Sequence, residues 1–390
     1  MPTPSMVTLT EEQQLIVSEV RRFVEKEVMP VATELEHRDE YPTDLVEQLR
    51  GLGMFGATIP QEYGGLELPF STYAAIVEEL SRGWMSLGGI LNTHTMVSWM
   101  IKTYGSEELR SRLLPKMATG ERRCALCMTE PNAGSDLQAI QTRAVRDGDD
   151  YLLNGNKMWV SNGVHAKIFA VLTKTDPQAT PPYKGMSVFI VEKETTPGMT
   201  VGRIIEKLGY KGIDTTEVAF EDARVPAGNL MGGKEGEGWF HIMSTIEIGR
   251  VNVASRAVGV ATAALEDAIR YAKQRETFGQ PIANHQAVQL MLADMATKIE
   301  AARLLTRAAA ARKDEGERSD MWVGMAKLFA TEVAQEVALQ AMRIHGGYGY
   351  SKELRVERYY RDTPFMLIGE GTNEIQKLVI ARNLLKLFGE

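Results

Sequence analysis

Hydrophobic periodicity switches twice along this 390-residue chain, and the double switch limits what it can fold into. The opening stretch has helical spacing. Thr10 and Gln13 stand as in a capping box, with Leu15, Val20, Phe23 and Val24 following. Leu45, Leu49, Leu52 and Phe55 make a second stripe. Pro60 and Gly64-Gly65 interrupt it, and helical patterns resume over 73–80 and 95–104. From Cys124 the apolar runs shorten to 151–153, 157–161, 168–173 and 186–191, which read as strands. Turns are expected at Asn154-Gly155, Asp176-Pro177, Pro181-Pro182 and Pro197-Gly198. Beyond the glycines at 232–238 helical spacing returns. Val288, Leu292, Met295, Ile299 and Ala302 form one face, and Met325, Phe329, Val333 and Val337 another. The pattern predicts an α+β chain in three parts: a helical domain over 1–123, an antiparallel β-barrel or sandwich over 124–235, and a four-helix bundle over 236–390.

Charge narrows the partners. With 44 basic and 51 acidic residues the net charge is -7, which argues against nucleic acid or an anionic membrane surface. A local basic pocket for an anionic ligand remains open. No run reaches the ~18 apolar residues of a membrane span, and the start lacks a signal-peptide pattern, so a cytoplasmic location is expected. Cys124 and Cys127 have no second Cys/His cluster with which to hold zinc, so no metal site is expected. Their apolar setting reads as inert core thiols, with a redox pair as the alternative.

Six segments could carry chemistry, and each has a plainer reading. The segment 128–136, MTEPNAGSD, offers backbone N–H groups and hydroxyls to a ligand, or is simply a strand-to-loop turn. Trp159 and Ser161, two apart on a strand, suit the face and edge of a flat heterocycle, or are a core Trp beside a surface Ser. Glu247 and Arg250, one helical turn apart, read by default as an ion pair. Arg275, near Phe278 and Gln286, could meet a pyrophosphate or merely end a helix in solvent. The glycines after His345 allow close backbone approach, where a helix cap explains one of them; His345 itself reads as a core histidine. Glu370 follows an apolar run and sits between two glycines. That setting raises a carboxyl pKa and suits proton abstraction beside a carbonyl, although a surface glutamate in a turn is the plainer reading.

Taken together and in order, TEPNAGSD, KMWVSNG, RETFGQPI, HGGYGY and EGTNEIQ resemble the acyl-CoA dehydrogenase family over essentially the whole chain. The resemblance implies that family's fold, FAD as cofactor, an acyl-CoA substrate, a homotetramer and an electron-transfer flavoprotein as electron acceptor. It implies Glu370 as the acceptor of the α-proton. Met128, Thr129, Ser135, Trp159 and Ser161 would lie along the flavin, with Thr372 and Glu374 completing that site. Arg275, Phe278, Gln286, Arg343, Gly346 and Gly347 would hold the pyrophosphate and adenine end, some across a dimer interface. Ser135, Glu247, Arg250 and Gly371 would border the substrate. An acyl-CoA oxidase and a flavin monooxygenase-like relative are the alternatives on the same scaffold.

Some departures from the family pattern carry expectations. Certain members place the base on the long helix just before its arginine, where this chain has Gly249. Gly369 stands where many relatives have tyrosine, which should open space for a branched, cyclic or bulky acyl group. Arg343 replaces a common glutamine. Leu87 occupies the position of the glutaryl branch's arginine, which argues against a dicarboxylate substrate with decarboxylation. The acyl tail is expected against 91–97, where Asn92, Thr93 and His94 favour short or medium chains.

Overall fold

The structure, a computed structural model, describes residues 9–316 and 319–389. Helices come first: α1 (Glu11–Phe23), α2 (Ala32–His37), α3 (Thr43–Gly51), α4 (Phe70–Gly83), α5 (Met85–Tyr104) and α6 (Glu107–Ala118). α1 begins at the expected capping box, Thr10 and Gln13 each accepting from the other's backbone N–H. The second stripe divides: Leu45 and Leu49 are buried on α3, Leu52 lies past its end, and Phe55 is buried in a separate turn. α5 is buried on nearly all sides, so its polar residues must find partners inside the protein.

The strands are β1 (Cys124–Cys127), β2 (Arg143–Asp147), β3 (Asp150–Ser161), β4 (Ile168–Lys174), β5 (Met186–Glu192), β6 (Met199–Ile204) and β7 (Thr215–Pro226). They form one sheet in the order β1-β4-β2-β3-β7-β6, with β5 on β4. Pairing is mainly antiparallel, but β1 runs parallel to β4. The expected turn at Asn154-Gly155 is not a turn. β3 passes straight through it, with a register shift and Gly155 at φ 146°. A Cβ there would lie 2.5 Å from Thr142 Oγ1, so the glycine serves close strand packing. The reversal falls instead at Gly148, at φ 65° between β2 and β3. Cys124 and Cys127 are free and buried on β1, and they pack into different core clusters, which removes the redox-pair alternative.

After the sheet come α7 (Gly238–Gln274), a minimal hairpin of β8 (Glu276–Thr277) and β9 (Gln280–Pro281), then α8 (Gln286–Asp314), α9 (Asp320–His345), α10 (Val356–Ile368) and α11 (Asn373–Phe388). α7, α8 and α9 pack on one another through the predicted stripes. Met295, Ile299, Ala302, Val333 and Val337 are buried, whereas Phe329 remains 38% exposed. α10 and α11 close the bundle against α9, and α4 and α5 lean on α7 from the other side. No described helix is long and apolar enough to cross a membrane.

Candidate active site

Glu370 lies in the short connection between α10 and α11. Its φ of 56° is unusual for a non-glycine residue and marks a conformation imposed by its surroundings. Three elements fix the backbone around it. Lys327, on α9, donates to Leu367 O (3.2 Å), Gly371 O (2.9 Å) and Asn373 Oδ1 (2.8 Å). Arg250 Nε, on α7, donates to Glu370 O at 3.2 Å, and Gln376 Nε2 donates to Gly371 O at 3.1 Å. Thr372 caps α11 by accepting from Ile375 N–H, and Glu374 is exposed beside it.

The Glu370 carboxylate points into the seam between α5 and α7. Asn92 Nδ2, on α5, donates to Oε1 at 2.9 Å, while Oε2 is buried without a hydrogen-bond partner among the described residues. Burial raises the pKa of this carboxyl above the usual range, against the opposing pull of Arg256, Arg250, Asn92 and Lys327. A Cβ placed on Gly249 would stand 2.9 Å from Glu370 Cδ. Position 249 and the Glu370 carboxylate are therefore in direct contact. Burial also pushes the Lys327 ammonium down to about 7.

The 128–136 loop and the strand holding Trp159 form one unit. Lys157, fully buried, donates to Met128 O at 3.0 Å and pairs with Glu130 at 2.9 Å, and Met158 N–H donates to Thr129 O. Sequence reasoning passed over Glu130 and Lys157; a charge of each sign in an apolar strand-and-loop setting was the available signal. Met128, Thr129 and Ser161 are half-buried, Ser135 is exposed, and Trp159 is 54% exposed at φ 62°, so it is not a core tryptophan. Asn162, next on the chain, donates to Ile90 O and Thr93 Oγ1, which docks the end of β3 on α5 one residue from Asn92.

The default ion pair between Glu247 and Arg250 is not made. Glu247 takes Lys313 Nζ at 2.8 Å and the Ser319 hydroxyl at 3.1 Å, while Arg250 is engaged with the Glu370 carbonyl. Burial raises the Glu247 carboxyl to about 7. Arg275, Gly346 and Gly347 line a separate cavity of about 570 Å³ with Tyr271 and His345. Nearby in the sequence, Phe278 is 97% exposed, Gln286 opens α8 in solvent, and Arg343 is exposed with Gln340 as its partner. Gly346 has φ 60°, and a Cβ on Gly349 would collide with Met342 O. His345 is the expected core histidine: it is buried, bonded to Ala341 O and stacked on Tyr271.

Two expectations change. Gly369 does not simply leave open space, because a Cβ there would meet the Phe365 ring at 2.9 Å, and that ring stacks on Tyr210. Of the polar stretch on α5, Asn92 alone reaches Glu370. Thr93 bonds Cys124 O, and His94 packs edge-on against Phe55 with its pKa lowered by burial to about 4. Lys327 and Arg256 had no local sequence signal, and Asn92 was read only as part of a polar stretch beside the acyl tail, since their contacts run across distant helices.

Comparison with known proteins matches the chain to three family profiles in order: acyl-CoA dehydrogenase N-terminal domain over 10–121, middle domain over 125–223 and C-terminal domain over 236–385. An acyl-CoA dehydrogenase of Bacillus subtilis is 42% identical over 97% of this chain and 99% of its own length. Butyryl-CoA dehydrogenase from Megasphaera elsdenii superposes with a TM-score of 0.94 at 38% identity, covering 97% of this chain and 99% of that one. A chain of the structure described as the electron transferring flavoprotein of Acidaminococcus fermentans does so at 0.94 and 41%, with the same coverage. The chain belongs to the acyl-CoA dehydrogenase family. It is an oxidoreductase of that class, with the family's helical, β and helical domains.

Proposed function

We propose that the chain converts an acyl-CoA thioester to its trans-2-enoyl-CoA, with Glu370 accepting the α-proton and FAD accepting the electrons. The observation that carries this reading is the buried carboxylate of Glu370, held on Asn92 with its second oxygen free. Its raised pKa brings it nearer the basicity needed at a carbon acid. FAD, when bound, supplies the acceptor for the β-hydrogen as hydride. The remaining work falls to the protein. The Glu370 N–H donates to no acceptor among the described residues, and it is our candidate donor to the thioester oxygen. One such donor contributes on the order of 3 kcal/mol to the transition state.

The residues fit FAD. Trp159 presents half its surface near the end of β3, beside Met128, Thr129 and Ser161, and Thr372 and Glu374 stand near the proposed base. Ser135, Glu247, Arg250 and Gly371 are proposed to border the CoA thioester. Arg275, Phe278, Gln286, Arg343, Gly346 and Gly347 are proposed to hold the pyrophosphate and adenine end. Lys327 and Arg343 are sixteen residues apart on α9, about 24 Å along its axis. That separation, with Phe278 97% exposed, supports a homo-oligomer, taken as a tetramer by resemblance, in which these residues serve a neighbour's cofactor. An electron-transfer flavoprotein is the proposed acceptor, and domain limits at 123/124 and 235/236 are our reading.

The test is an anaerobic flavin spectrum recorded while straight, branched, cyclic and dicarboxylic acyl-CoAs are added. Rapid bleaching by one class, lost in Glu370→Gln, is expected. Bound FAD that no thioester bleaches would overturn the reading. Fast reoxidation in air would make the enzyme an oxidase instead.

A further inference from the structure

The seam around Glu370 holds more buried positive charge than the backbone there uses. Arg250, Arg256 and Lys327 all act on the Glu370 carboxylate. Arg250 and Lys327 are committed to the loop carbonyls. Arg256 differs. It is 1% exposed, yet its Nε and Nη1 have no hydrogen-bond partner among the described residues. Its guanidinium lies 5.2 Å from the Tyr210 ring centroid and 5.5 Å from that of Phe365. Contact with rings offsets part of the burial of a charge, and the Tyr210 hydroxyl accepts from the guanidinium, but Nε and Nη1 are left without an acceptor among the described residues. Arginine cannot shed its proton to lower that cost, so an anion reaching it gains strongly.

Its position says which part of a substrate would reach it. Arg256 stands seven residues beyond Gly249 on α7, about 10 Å along the axis. Gly249 adjoins the Glu370 carboxylate, where the α-carbon of the thioester must lie. On the facing helix, a Cβ at Gly88 would meet Arg256 Cγ at 3.0 Å. One turn further along α5, Asn92 donates to Glu370. Arg256 and Glu370 therefore line the same α5–α7 seam, with Phe365 and Tyr210 beside them. An acyl chain that begins at Glu370 and continues along the seam runs toward Arg256.

We propose that Arg256 determines specificity by binding a carboxylate at the far end of the acyl group, so that the preferred substrates are CoA monothioesters of short dicarboxylic acids. The proposal rests on Glu370 as the α-proton acceptor. It reverses the expectation drawn from Leu87, which is fully buried in the core; the cation comes from α7 rather than α5. Oxidation of such a substrate needs no loss of carbon dioxide. The α-proton passes to Glu370 and the β-hydrogen to FAD, and the distal carboxylate is unchanged.

The experiment compares kcat/KM of the FAD-loaded enzyme for succinyl-CoA, glutaryl-CoA and a 2-methyl homologue of each against butyryl-CoA and pentanoyl-CoA. The wild type is expected to favour a dicarboxylic member over the monoacid of equal length. Arg256→Gln should lower that preference ratio roughly 100-fold, mainly through KM, as the loss of a buried charge-assisted contact implies. Arg256→Lys should restore part of it. The wild-type comparison decides the matter even if Arg256→Gln does not fold. Monoacids preferred in the wild type would overturn the proposal. So would an equal fall for both classes in Arg256→Gln with a shifted pH profile, the mark of an arginine acting only on Glu370. Failure of every thioester to reduce the flavin would instead count against the proposed reaction itself.

Discussion

Gly249→Ala tests the geometry around the proposed base, Glu370, with one methyl group. The added Cβ would stand 2.7 Å from Met96 Sδ and 2.9 Å from both Glu370 Cδ and Oε2, where ordinary contact begins at 3.4 Å. The carboxylate must therefore retreat by about 0.5 Å, the difference between 3.4 and 2.9 Å, which strains its 2.9 Å bond to Asn92. A misplacement of about 1 Å costs on the order of 100-fold in rate, so half of that costs about tenfold. Overpacking of about 1–3 kcal/mol is partly offset by the ~0.5–1 kcal/mol that alanine gains over glycine in a helix. The variant should fold. Stopped-flow flavin reduction is expected to slow about tenfold, with FAD content and KM little changed. A rate equal to wild type would show that the reacting carboxylate does not sit against α7.

Other perturbations separate the parts of the site. Because burial raises the Glu370 pKa and proton removal needs the carboxylate, kcat/KM should fall as pH drops through that raised value. Asn92→Leu removes a donor that favours the charged form, so the acid limb of the kcat/KM profile should move to higher pH. Trp159→Ala, at a position 54% exposed, should change apo-protein stability by no more than about 0.5 kcal/mol, while the FAD retained after gel filtration falls. Lys327→Met leaves Leu367 O without its donor, whereas Gly371 O keeps Gln376 and Asn373 keeps Thr331. A loss of about 1–3 kcal/mol in denaturant unfolding is expected, together with a lower kcat.

The parts of this fold legible in the sequence are those written locally. The Thr10 cap, the strand runs at 168–173 and 186–191, and the stripes of α8 and α9 need only neighbours along the chain. β2 and β6 escaped notice because each exposes most of its residues and carries little apolar alternation. Asn154-Gly155 misled for a physical reason. The glycine that permits a turn also permits the close approach of Thr142 to an unbroken strand. In the site, the apolar run and flanking glycines picked out Glu370, although a surface glutamate in a turn stayed the plainer local reading until the motifs were taken together. Asn92 was noted for its polarity, but its bond to a carboxylate 278 residues away was not legible, nor was the triple contact of Lys327. The Gly369 expectation missed Phe365 because four residues along a helix end place a ring over that glycine.

The proposed proton removal by Glu370 can be measured apart from electron transfer. The FAD-loaded enzyme would be held in D2O with a thioester whose β-position cannot be oxidised, and deuterium at the α-carbon followed by mass spectrometry. Wild type should exchange the α-hydrogen. Glu370→Gln, retaining FAD and the same affinity for the thioester, should do so at least about 100-fold more slowly. Exchange at the wild-type rate in that variant would contradict the assignment of Glu370 as the base.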